Sequence, residues 1–216
     1  MTENWMVSAS TWKTHPWTLF TSAMSHSSFL HLLFNMVAIG SIGRDIQTVV
    51  GPRAFLALCA AMAAAGSLGH LAWSAPRMPA NWTPRSEFIP VYILPDGTPL
   101  LQSQVEAYTK VHGKPNVEVR HVFMSEDHVW EPGLGASAIA SGLFGMSAVL
   151  WPRKQFIVFV FSTHASKLLL YFTAFSTLSL LLNPESRIGH AAHLSGLGVG
   201  VLAAILLRGR SMRFIR

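Results

Sequence analysis

Three short clusters of polar residues interrupt otherwise apolar stretches of this 216-residue chain. Polar side chains inside apolar segments are costly and are functional candidates by default. The first cluster is His26-Ser-Ser-Phe-Leu-His31-Leu-Leu-Phe-Asn35. His31 and Asn35 are four apart, so a helix places them on one face. The Asn amide carries two N–H donors, suited to an oxyanion or to a hydrogen bond with a neighbouring helix. The second is Gly133-Leu-Gly135-Ala-Ser137-Ala-Ile-Ala-Ser141-Gly142-Leu-Phe-Gly145. A serine at the mouth of a helix, after glycines, leaves room for a substrate backbone. N–H groups at a helix start lack internal partners and can hold an anion. Ser137, Ser141 and Gly145 recur every four residues, which also describes a small-residue packing face. The third is Gly189-His190-Ala-Ala-His193-Leu-Ser-Gly196-Leu-Gly-Val-Gly200. There His193 is either a structural hydrogen-bonder or a base that activates a serine. Gly196, Gly200 and Ala204 form a smooth stripe that permits close helix contact.

The elements that must position these residues are membrane spans. Half the residues are hydrophobic and 12% are charged, against about 25% charged in soluble domains. Mean hydropathy is +0.37. A spanning helix needs roughly 17–25 apolar residues. Five candidates emerge: Phe29 to Gly43, which is short; Ala54 to Trp73; Gly135 to Trp151, rich in Gly, Ala and Ser; Ser166 to Leu182; and Gly189 to Leu207. The expected fold class is therefore an all-α polytopic membrane protein. Net charge is +6, but the basic residues cap apolar segments and form no stripe interleaved with aromatics, which excludes nucleic acid as a partner. The lone Cys59 lies in an apolar run, so there is no disulfide framework and no cysteine metal site. The start, Met1-Thr-Glu-Asn-Trp, carries neither a signal peptide nor an Arg-rich presequence.

Alternating the five spans sorts the loop charges. One side has Arg44, Arg53, Arg153, Lys154, Lys167, Arg208, Arg210, Arg213 and Arg216 against Asp45 alone; the other has seven basic and nine acidic residues. The basic side is expected to face the cytoplasm or the mitochondrial matrix. Residues 74–132 read as an extramembrane insertion rich in proline. Within it, Val91-Tyr-Ile-Leu before Pro95-Asp96-Gly97 reads as a strand entering a turn, and Leu100 to His112 as a short amphipathic helix. Asn81-Trp-Thr83 is a glycosylation sequon on the acidic side, followed by Pro84.

The first, third and fifth spans all run from the acidic side to the basic side, and each polar cluster lies near its span's start. His31, Asn35, Ser137 and His193 are then expected at one depth beneath one mouth. A nucleophile, a base and oxyanion donors at one level suit acyl transfer. No Asp or Glu falls within these spans, so a Ser–His dyad without a carboxylate is expected. A zinc site from His26, His31, His190 and His193 is a weaker reading, since no His-Glu-x-x-His is present. No cofactor is implied. A transporter or channel is disfavoured, because the spans lack carboxylates and broken-helix pairs.

Taken together, His26 through Asn35, Gly135-Ala-Ser137 with Gly142 and Gly145, and Ala192-His193 with Gly196 and Gly200 resemble the rhomboid intramembrane serine proteases, over about residues 12–75 and 133–208. Gly-Ala-Ser before Trp151-Pro152, and His190-Ala-Ala-His193-Leu, look most like the mitochondrial, presenilin-associated branch. The resemblance implies Ser137 as nucleophile, His193 as general base, and an oxyanion site from Asn35, His31 and the Ser137 N–H. Gly135, Gly196, Gly200, His190 and Ser141 support them. It implies single-span membrane proteins as substrates, the lipid bilayer as surroundings, and a mitochondrial inner-membrane location with the site open to the intermembrane space. It further implies a six-span core of which the first span is missing, Met1 falling in the loop after it. Two departures stand out. The family usually has Gly after the serine, where this chain has Ala138. Ala140-Ser141-Gly142 also makes Ser141 a rival nucleophile, although Ser137 keeps the glycine spacings. A catalytically inactive, client-binding rhomboid-like protein is the alternative function.

Overall fold

The computed structural model describes residues 4–78, 85–126, 132–158, 161–183 and 188–213. The chain forms two compact units, Met1–Pro79 with Val129–Arg216, and Ala80–His128. The sequon at Asn81 and Pro84 lie outside the described residues.

The larger unit is a helical bundle. A short helix α1 (Thr18–Thr21) precedes α2 (Phe29–Val50) and α3 (Pro52–Ser74), and the bundle continues with α5 (Ser137–Leu150), α6 (Ala165–Leu182) and α7 (His190–Arg213). The smaller unit contributes α4 (Gln102–His112). Ser28 caps α2, its hydroxyl accepting the His31 N–H at 3.1 Å, which satisfies one orphan donor of the first turn. The helix continues to Val50, past the expected end at Gly43. The stop is set by Gly51, at φ 83°, and by Pro52 opening α3. Proline suits a first helical position because its missing N–H has no partner there anyway. Asp45 consequently lies inside a helix that was expected to carry no carboxylate. It is paired with Lys154, which offsets its charge.

Helix α5 is the centre of the bundle. Leu143 and Met146 are fully buried with Met62 of α3, Ile46 of α2 and Ala204 of α7. Contact between α5 and α7 is backbone to backbone. A Cβ on Gly200 would lie 1.8 Å from the Gly142 carbonyl oxygen, and one on Gly196 would lie 2.2 Å from that of Ala138. Side chains of any size there would force the helices apart, so the glycine stripe sets their separation.

Four helices among the described residues, α2, α3, α6 and α7, are long and apolar enough to cross a membrane, and α5 is a shorter apolar helix. Their outward faces are apolar. Phe34 on α2 and Leu170, Phe175 and Leu181 on α6 are exposed, a pattern that in water would be an aggregation hazard and in lipid is the expected surface.

Between α5 and α6 the chain forms an unanticipated antiparallel hairpin, β4 (Gln155–Val158) and β5 (Phe161–His164). Alternating aromatic and β-branched residues favour a strand here. In the smaller unit, β1 (Arg85–Ile93) pairs antiparallel with β2 (Pro99–Leu101) and with β3 (Glu118–Glu126). The β1–β2 turn is built on Asp96 and Gly97, as the Pro-Asp-Gly signal suggests.

Candidate active site

Ser137 opens α5 and His193 lies in the first turn of α7. The His193 Nε2 and the Ser137 Oγ are 2.8 Å apart. This is a hydrogen bond between side chains 56 residues apart in sequence, and it exists because the glycine stripes let the two helix backbones touch. The imidazole is flanked by Phe172 of α6 at 6.0 Å and by His190 at 6.2 Å, ring centre to ring centre. Among the described residues no carboxylate hydrogen-bonds this ring. Ser141 lies one turn further along α5, buried, and the histidine bonds Ser137 instead.

Gly135 turns the chain into α5 with φ 104°, a conformation natural to glycine. Its N–H donates to the Ser22 carbonyl oxygen at 2.8 Å. A side chain at 135 has no room: its Cβ would sit 2.6 Å from His31 Cε1 and 3.7 Å from Asn35 Nδ2. Both first-cluster groups are therefore packed against the turn that presents Ser137. Asn35 is 6% exposed, and its Nδ2 has no hydrogen-bond partner among the described residues. An unpaired buried amide is a cost to the resting fold. His31 is oriented from behind, its Nδ1 lying 3.1 Å from Ser27 Oγ, with the His26 ring edge-on at 5.0 Å. His26 Nε2 accepts the Ala136 N–H at 3.4 Å.

His31, Gly135, Ser137, His190 and His193 line a cavity of about 760 Å³, while Asn35 is packed behind its wall. Small residues, Ala63, Gly66 and Ala138 among them, line the part near the serine, while His70 and Trp73 of α3 extend the lining. His190 is 3% exposed with its ring against Phe175 at 5.5 Å, and its Nδ1 has no partner among the described residues. Gly196 and Gly200 lie on the α7 face against α5, away from the chemistry. Among the described residues no three His, Cys, Asp or Glu side chains are placed to hold a metal ion.

Several contributors were not legible in the sequence. Ser22 and Ser27 look like loop residues, yet one fixes the Gly135 turn and the other steers His31. Ser28 had a readable signal, a serine directly before an apolar helical run. The segment before α2 is also held to the site's outer wall, where Val7 and Gly133 exchange backbone hydrogen bonds of 3.2 and 2.7 Å.

Apolar helices with lipid-type outer faces, closed around a hydrogen-bonded serine and histidine, define a polytopic helical membrane protein with a recessed polar site. Residues 13–210 match the rhomboid domain, and the chain belongs to the rhomboid family. It is 25% identical over 215 residues to RHOMBOID-like protein 12, mitochondrial, of Arabidopsis thaliana, an alignment covering 99% of this chain and 53% of that protein. The chain thus spans about half the length of the curated relative it matches.

Proposed function

We propose that this protein is an intramembrane serine endopeptidase that cuts single-span membrane proteins within or beside their transmembrane helix. The observation that carries the reading is the 2.8 Å contact between Ser137 Oγ and His193 Nε2, on a cavity that also receives His31. In this mechanism Nε2 takes the hydroxyl proton as Oγ attacks the scissile carbonyl carbon. The carbonyl oxygen becomes an oxyanion, stabilised by the Asn35 amide, His31 and the Ser137 N–H at the start of α5. The imidazolium then gives its proton to the leaving amine. A water molecule, deprotonated by the same nitrogen, hydrolyses the acyl-enzyme and restores Ser137.

Helix length supports an intramembrane depth for this chemistry. The 14 residues of α5 extend about 21 Å at 1.5 Å per residue, against a hydrocarbon core of ~30 Å. Trp151, Arg153 and Lys154 mark the interface at its far end, so the shortfall falls at Ser137. The charge asymmetry of the loops and the relative's mitochondrial name support an inner-membrane location with the cavity open to the intermembrane space.

The test is cleavage of a single-span reporter by the full-length protein reconstituted in liposomes. Ser137→Ala is expected to abolish cleavage, a loss of at least about 10³-fold, and Ser141→Ala to retain it. Loss with Ser141→Ala but not with Ser137→Ala would move the nucleophile. If the unmodified protein binds the reporter without cutting it, the client-binding reading takes its place.

A further inference from the structure

A second recess lies at the opposite end of α5. It is a shallow groove of about 610 Å³ lined by Asp45, Thr48, Trp151, Pro152, Arg153 and Lys154. It sits between the last turns of α2 and the end of α5, far along the helix from Ser137. The Lys154 ammonium is held in place there. It pairs with the Asp45 carboxylate and lies 5.7 Å from the Trp151 ring centre and 5.4 Å from that of Phe156. Asp45 offsets the charge of Lys154, which leaves Arg153 as the uncompensated charge of the groove, and both members of the pair remain about a third to a half exposed. Arg153 is exposed beside them, and among the described residues its guanidinium makes no ion pair. Trp151 lines the groove, and Val49 of α2, next in the chain to the lining residue Thr48, is 52% exposed.

An ammonium held beside Asp45, an exposed guanidinium at Arg153 and an interfacial tryptophan match an amphiphile with an anionic head. The geometry points to this groove as a binding site for the phosphate head of an anionic phospholipid, its acyl chains lying along α2 and the hairpin. Basic recesses between helices on the positively charged face of a membrane protein suit such heads. Arg153 supplies a planar fork for two phosphate oxygens, and Lys154 a point charge. The apolar outer surface of α2 beside the groove separates a lipid from free phosphate, which gains nothing from Val49. This site is independent of the protease reading.

The full-length protein in uncharged detergent is titrated with phosphatidylglycerol, phosphatidylcholine and inorganic phosphate, and its thermal unfolding midpoint is followed. Phosphatidylglycerol is expected to raise the midpoint by roughly 5 °C, and the other two to leave it unchanged. Arg153→Gln is expected to remove the rise. Arg53→Gln, a charge on the same face but outside the groove, is expected to keep it. Lys154→Gln also breaks the Asp45 pair and can lower the midpoint of the lipid-free protein, so Arg153→Gln is the deciding variant. A rise that survives Arg153→Gln, or is lost equally in Arg53→Gln, would mean diffuse charge attraction and overturn the site. An equal rise with inorganic phosphate would overturn the lipid assignment, and no rise at all would overturn both.

Discussion

The methyl group of Ala138 occupies a notch that exists because residue 66 is glycine: a Cβ on Gly66 would lie 2.3 Å from the Ala138 Cβ. Ala138 directly follows the serine bonded to His193, at a position where the family usually has glycine. Here the missing space on α5 is returned by α3, so the larger residue is seated without displacing Ser137. Gly66→Ala is expected to destabilise the protein by about 1–3 kcal/mol through overpacking. Ala138→Gly in the same chain should recover most of that loss. Thermal unfolding of the single and double variants measures the coupling, and additive effects would mean that the two residues do not share the notch.

Three glycines of α7 separate packing from propensity. Gly196 and Gly200 face α5 with no room for a Cβ, whereas a Cβ on Gly198 meets nothing within 4 Å among the described residues. Gly200→Ala and Gly196→Ala are expected to lower the unfolding midpoint. Gly196→Ala should also weaken cleavage, by widening the gap between Ser137 and His193. Gly198→Ala is expected to be neutral or stabilising by up to about 1 kcal/mol. Equal destabilisation by all three would reject the backbone-contact account.

In the proposed mechanism the Asn35 amide, whose Nδ2 has no partner among the described residues, acts on turnover. Asn35→Ala is expected to reduce kcat about 10²–10³-fold, the usual effect of removing one oxyanion donor. KM should change little, because the donor acts on charge that develops in the transition state. A change confined to KM would place Asn35 in substrate binding instead.

In the smaller unit, the Asp96 carboxylate accepts the Thr98 N–H at 2.9 Å, and this bond holds its pKa below the ordinary carboxylate value. A depressed carboxylate pKa stabilises the turn at any pH above the unfolded value, about 3.9. That contribution is lost as pH falls through the lower folded value. The protection of the Thr98 amide, the exchange rate of the unstructured chain at the same pH relative to its own, should therefore fall on acidification below about pH 4, and Asp96→Ala should remove the dependence. An unchanged profile in Asp96→Ala would assign the effect to another group.

The sequence by itself determined which segments become apolar helices, because hydropathy and run length are local quantities. It also marked the three polar clusters, since each lies near the start of an apolar run. The end of α2 was misjudged for a physical reason. The apolar run ends before Arg44 and Asp45, which read as loop charges, yet Asp45 stays helical and pairs with Lys154, 109 residues away. What only the tertiary structure decided is which groups face each other. Ser137 and Ser141 lie on one face of α5, where the glycine spacings favour Ser137, and the rotation of α5 against α7, imposed by glycines meeting backbone, turns Ser137 to His193. The Gly66 notch, the Ser27 brace on His31 and the basic groove beside Trp151 likewise depend on partners distant in sequence. No local pattern encodes them, because helix rotation and approach are set by packing.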